Sequence, residues 1–176
     1  MRGSKIVVSN STPLIYLAKI GRLDIIQKVF ERIFIPEAIF EETVIRGKAL
    51  GMTDASIIER AVEAWIIMIR VKPEVDMEYR FLNENERLGL GEREAIKLCK
   101  QLNADFFIAD DREARRVSKI LNIKPIGTFG VIVQAWRHGL ITSGEALQIL
   151  DELVKAGFRI GSAVYRRILD EIGMIP

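Results

Sequence analysis

One cysteine and one histidine in 176 residues close off two common kinds of site. A lone thiol allows no internal disulfide and fits a reducing compartment. Zinc held by clusters of histidine and cysteine is excluded, because too few such ligands exist. Ser-His-Asp chemistry would have to run through His138. That residue lies in Arg137-His138-Gly139, where a helix is expected to end, so it reads as a cation near a helix C-terminus. Cys99 falls in the stripe Ala95, Leu98, Cys99, Leu102, spaced as one buried helix face, and reads as a core filler rather than a nucleophile.

Long apolar runs are also lacking. Uncharged stretches such as Pro125–Trp136 fall short of the ~20 residues that cross a bilayer. Ile6-Val7-Val8 is too brief an apolar core for an export signal, so no membrane contact and a cytoplasmic location are expected. Neither sign of charge dominates. The 26 Lys and Arg against 24 Asp and Glu leave a net charge of +2, too small to announce nucleic-acid binding by itself. Aromatic residues, 7% of the chain, are sparse beside the basic ones and give little sign of base stacking.

What remains is 49% hydrophobic and 28% charged, the profile of a soluble globular protein. The length suits one domain over residues 1–176, with an α/β core at about 5–128 and a helical extension at about 129–173. Strands are expected at Lys5–Ser9, Arg32–Ile35, Trp65–Val71, Asp105–Ala109 and Ile123–Ile126, short apolar runs of the kind buried on both faces. Helical patterns fill the gaps. Ser11 or Thr12 can cap the first, which Gly21 stops, and others follow at about Leu23–Phe30, Pro36–Val44, Thr53–Ala64 and Glu92–Leu102. Asp110 or Asp111 caps a helix ending near Leu121, and the last third reads as Val131–His138, Ser143–Ala156 and Ser162–Ile172. The alternation predicts an α/β fold, a parallel sheet with helices on both faces. Arg46–Thr53, with two glycines, is expected to be a mobile loop.

Chemistry should gather at the C-terminal rim of such a sheet. The first strand is followed by Asn10, Ser11 and Thr12, and the second by a helix carrying Glu37, Glu41 and Glu42. Gly91 is followed by Glu92 and Glu94, and the fourth strand delivers Asp110 and Asp111. Carboxylates converging there would repel each other unless a cation neutralised them. Oxygen ligands without histidine favour magnesium or manganese. Each also has a structural reading: the aspartates as helix caps, Glu92 and Glu94 as complements to a helix dipole, Glu42 as a partner of Arg46. Arg112, Arg115, Arg116 and Lys119 share a helix face, which is either a basic rim for a phosphate backbone or a solvated face pairing with Glu113.

Together, Ile6-Val7-Val8-Ser9-Asn10-Ser11-Thr12-Pro13-Leu14-Ile15, Ile35-Pro36-Glu37-Ala38-Ile39-Phe40-Glu41-Glu42, Leu88-Gly89-Leu90-Gly91-Glu92-Arg93-Glu94-Ala95-Ile96 and Phe107-Ile108-Ala109-Asp110-Asp111 resemble the four motifs of the PIN domain family, the fold of VapC-type toxin ribonucleases. The tail from Ile126-Gly127-Thr128 to Phe158-Arg159-Ile160 resembles a prokaryotic PIN-like branch with a helical C-terminal extension. The resemblance implies a three-layer sandwich around a five-stranded parallel sheet in the order 3-2-1-4-5. It further implies magnesium- or manganese-dependent cleavage of RNA by clustered acids, a homodimer and an antitoxin partner. By motif, Glu42, Glu94, Asp110 and Asp111 are the catalytic acids, and Asn10, Glu42, Glu94 and Asp111 the metal ligands. Thr12, Arg112, Arg115 and Arg116 would meet the substrate. Asn10 departs from the aspartate of the first motif. An amide oxygen can ligate magnesium but brings no charge, so metal affinity should fall. The alternative is therefore a catalytically impaired protein that binds RNA or protein as a regulator.

Overall fold

The computed structural model describes residues 5–173. It begins with β1 (Val7–Ser9), α1 (Ser11–Lys19), α2 (Asp24–Phe30) and β2 (Ile33–Pro36). One continuous helical stretch follows, α3 (Glu37–Phe40), a π-helical segment (Glu41–Arg46) and α4 (Gly47–Ala49), and then α5 (Thr53–Val62) and β3 (Ile66–Ile69). After α6 (Pro73–Glu78) and a 3-10 segment (Arg80–Glu84) come α7 (Leu90–Leu102), β4 (Phe106–Ile108), α8 (Arg112–Ile120) and β5 (Pro125–Ile126). Three helices close the described chain, α9 (Thr128–Arg137), α10 (Ser143–Lys155) and α11 (Ser162–Glu171).

All five strands pair in parallel, in the order β3-β2-β1-β4-β5. The chain reverses direction across the sheet between β1 and β4, whose register sets Val7 beside Phe106 and Ser9 beside Ile108. That junction is the switch point where a crevice opens beyond the strand ends. Successive strand residues alternate between two apolar cores, as the period of two requires. Val7, Ile33, Ile35 and Ile108 face α1, α2, α5 and the last three helices, whereas Val8, Phe34 and Phe107 face α7 and α8. Each fully buried side chain of this kind contributes roughly 1.5–3 kcal/mol.

The structure corrects several expectations. Arg46–Thr53 is not a loop, because helix runs to Ala49 and resumes at Thr53. Gly47 is buried against α5, where a Cβ would stand 2.8 Å from that of Ala55. Its glycine serves close approach rather than mobility. Neither Ser11 nor Thr12 caps α1; Asn10 does, its Oδ1 accepting from the Ser11 N–H at 2.9 Å. β3 is an edge strand with Ile67 and Met68 exposed rather than buried on both faces. α9 starts at Thr128, three residues before the expected Val131.

Between β3 and α7 the structure adds α6 and the 3-10 segment, where no element was expected. They are held by Lys97 of α7, whose side chain is 1% exposed. Its ammonium donates to Asp76 at 2.5 Å, Glu94 at 2.8 Å and Asn83 at 3.1 Å. Burial pushes the Lys97 pKa down, but the bonds to Asp76 and Glu94 outweigh it and the net shift is upward.

Candidate acidic active site

The crevice beyond β1 and β4 is built around Asn10. This residue is 1% exposed, and its backbone N–H donates to the Ile108 carbonyl at 2.8 Å, fixing it between the two central strands. Its Oδ1 caps α1, which leaves Nδ2 pointing across the crevice to donate to Glu92 Oε1 at 3.3 Å. Glu92 reaches this point because it is the third helical residue after the cap Gly89, whose N–H donates to Glu92 Oε2 at 2.8 Å. That one-sided capping bond turns the side chain back over the helix start, since a glycine cap has no side chain to return it.

Glu42 arrives from the opposite side. The π-helical segment presents it over the N-terminus of α7, where its Oε2 would lie 2.9 Å from a Cβ added to Gly91. A side chain at position 91 would have to displace both that carboxylate and the Ile39 Cδ1, which lies 2.7 Å from the same point. Insertions of π-helix into α-helix are frequent at functional sites. Asp111 completes the group as the cap of α8, accepting from the Ala114 N–H at 2.8 Å. Burial raises the Glu92 pKa above the ordinary glutamate range, and the charges of Asp111 and Glu42 add to the rise against the hydrogen bonds from Gly89 and Asn10. Three carboxylates, those of Glu92, Glu42 and Asp111, thus act on one another in the crevice, and a bound cation would offset their mutual repulsion.

The donor set suits a hard divalent ion, being carboxylate oxygens without sulfur or imidazole, while Asn10 turns its NH2 rather than its oxygen toward them. Among the described residues, however, no three His, Cys, Asp or Glu side chains converge on one ion position. Glu42 is exposed, and Asp111 is exposed with one oxygen tied to the Ala114 N–H, so an ion would draw the Glu42 side chain toward Glu92 and Asp111.

The candidate residues separate into those brought together and those directed elsewhere. Asn10, Glu42 and Asp111 share the crevice. Glu94 does not join them, for it bonds Lys97 on another face of α7. Glu92 occupies the place expected for it. Spacing does not single it out, since Glu92 stands three and four residues before buried Ala95 and Ile96, and Glu94 three and four before buried Lys97 and Leu98. Asp110 also turns away: Oδ1 accepts from the Thr128 N–H at 2.8 Å and Oδ2 from its hydroxyl at 2.6 Å. Burial raises the Asp110 pKa, opposed by those bonds and by Arg115. Thr12 stands half-buried in the first turn of α1.

On α8 the basic residues line one groove with Arg87 and Asp111, though not as equals. Arg116 is held by Glu113 at 2.7 Å, and Arg116 followed by Asn85 pulls the Glu113 pKa down to about 2. Arg115 donates to the Ala109 carbonyl at 3.1 Å. Arg112 and Lys119 are exposed and, among the described residues, carry no ion pair.

A family model described as a PIN domain covers residues 6–174. No curated protein matches the sequence. Among the described residues no helix is long and apolar enough to cross a membrane.

Proposed function

The chain belongs to the PIN domain family, and on that premise we propose that it is a divalent-metal-dependent endoribonuclease resembling VapC-type toxins. PIN domains are in general nucleases that bind RNA and use divalent metal ions. The observation that carries the finer reading is the placement of Glu92 and Glu42 together at the start of α7, with Asp111 at the start of α8, at the sheet's switch point. Glu42, Glu92 and Asp111 would hold magnesium or manganese, with the Asn10 amide beside them. When bound, the ion would neutralise phosphate charge and lower the pKa of an attacking water. Arg112 and Lys119 attract the RNA backbone toward Asp111, and the Thr12 hydroxyl orients a phosphate oxygen.

In a broad RNA panel with manganese, the wild-type chain is expected to cleave. Glu92→Gln and Asp111→Asn should each lose about a hundredfold or more in rate, while Glu94→Gln should lose little beyond stability. Equal loss in Glu94→Gln and retention in Glu92→Gln would reverse the assignment. No cleavage by folded, metal-loaded wild-type protein would remove the enzyme reading.

A second reading is favoured by the Asn10–Glu92 hydrogen bond. An amide donor at this place satisfies Glu92 without any metal, which suits a catalytically impaired RNA- or protein-binding regulator. Cleavage gained only in Asn10→Asp would decide for it. We place the protein in the cytoplasm, where the unpaired Cys99 stays reduced. An antitoxin and a homodimer belong to the same proposal. The exposed β3 edge, with Ile67 and Met68, is a surface that such an assembly could cover. The helical extension is taken as part of one PIN unit.

A further inference from the structure

A cleft of about 590 Å³ opens between the turn at Gly127, α9 and α11, and it takes no part in the acidic crevice. Its size falls within the roughly 300–1,000 Å³ of small-ligand sites. Two kinds of surface meet in it. Phe129, Ile160 and Val164 make an apolar floor, and Val164 is 51% exposed. Around the rim stand Arg115, Arg137, Arg159 and Arg167.

Both carboxylates in the cleft are already engaged. Asp110 accepts from Thr128, and Glu171 pairs with Arg137. Arg159 and Arg167 have no carboxylate partner among the described residues. The cleft therefore offers uncompensated positive charge above an apolar floor, complementary to an anion with a flat apolar body.

Continuity with the acidic crevice identifies that body. The groove along α8 contains Asp111 and Arg115, and Arg115 also lines this cleft. A polyanion crossing Asp111 thus meets a cationic wall on each side. We propose that the α9–α11 cleft holds one nucleotide of single-stranded RNA flanking the phosphate at the acidic crevice. Its phosphate rests on Arg159 and Arg167 and its base on Ile160, Val164 and Phe129. This assignment rests on the ribonuclease reading above. Duplex RNA keeps its bases stacked inside the helix and cannot lay one on that floor, whereas a single strand can.

The test uses the full chain in EDTA, so that binding is read without cleavage. Fluorescence anisotropy compares an unstructured single-stranded RNA with a duplex of the same sequence, and 5′-AMP serves as competitor. The single strand is expected to bind most tightly. Arg159→Ala with Arg167→Ala should weaken it about tenfold. That pair should also flatten the dependence of log K on log salt by about 0.7, the value for one lost phosphate contact. Both arginines are exposed, and circular dichroism checks the fold. Val164→Asp should weaken binding independently.

Unchanged affinity in both variants overturns the assignment, as does duplex or 5′-AMP binding as tightly as the strand. If the wild-type chain cleaves RNA in manganese while both variants bind it normally, the cleft assignment falls and the ribonuclease stands. If the wild-type chain neither binds nor cleaves RNA, the ribonuclease reading falls and takes the cleft with it.

Discussion

At the scale of single residues, Asn10 and Glu92 are better understood as a pair than separately. An amide facing a glutamate is a donor facing an acceptor; an aspartate there would be a second buried anion. Asn10→Asp is therefore expected to destabilise the metal-free protein by about 2 kcal/mol. Excess manganese should narrow or reverse the difference. The sign with pH follows from Glu92, whose folded pKa is raised above its unfolded value near 4.5. Its contribution to stability is whole below that value and is lost as pH rises through the folded pKa. Urea unfolding of the metal-free protein at a series of pH values should show this decline, steeper in Asn10→Asp. An Asn10→Asp protein as stable as the wild type in EDTA would contradict the picture. Asn10, Glu42 and Asp111 could be found in the sequence because they directly follow strands or sit on a helix entering the rim. Glu92 and Glu94 could not be separated by motif alone, since both fall in one helical turn. What separates them is a long-range partner on each side, Asn10 for one and Asp76 beside Lys97 for the other.

At the scale of elements, legibility followed burial. β1, β2 and β4, which lie wholly or largely in the core, announce themselves as apolar runs, and the helices α5, α7 and α10 as amphipathic stripes. α6 left no such mark because none of its residues is buried; it is held by the ammonium of Lys97 rather than by an apolar face. The π-helical segment was equally hidden. Periodicity reports which residues face inward but does not register one extra residue in a turn, and here that turn carries Glu42. Gly47, which follows that segment, marks contact with α5 rather than mobility. Gly47→Ala would bring two Cβ atoms to 2.8 Å, so the π-helical segment or α5 must shift. The expected cost is about 1–3 kcal/mol, measured by urea unfolding. Because the same segment presents Glu42, manganese affinity should fall with it. Calorimetric titration showing wild-type affinity in a destabilised Gly47→Ala would separate the two effects and detach the π-helical segment from the site.

At the scale of the whole molecule, the acidic crevice and the fold should be linked through the ion. The crevice is closed by elements far apart in sequence: β1, the π-helical segment, α7 and the start of α8. An ion shared by Glu42, Glu92 and Asp111 binds only when all are folded together, so it stabilises the native state and not the unfolded chain. At a hundredfold excess over its dissociation constant that linkage is worth about 2.7 kcal/mol. For a chain of 176 residues this corresponds to a rise in Tm of roughly 5–11 °C. Protons compete for the same oxygens, and Glu92 holds its proton to a higher pH than an ordinary glutamate. The manganese-induced rise should therefore shrink as pH falls through the raised Glu92 pKa, and it should be largely lost in Glu92→Gln at every pH. Glu94→Gln carries the opposite expectation, a lower Tm from weakening the Lys97 anchor with the manganese increment intact. Scanning calorimetry of the three proteins, with manganese and with EDTA, reads both quantities at once. A wild-type Tm indifferent to manganese would mean that these carboxylates hold no ion, and the charge gathered at the switch point would then have to be answered by something other than a metal.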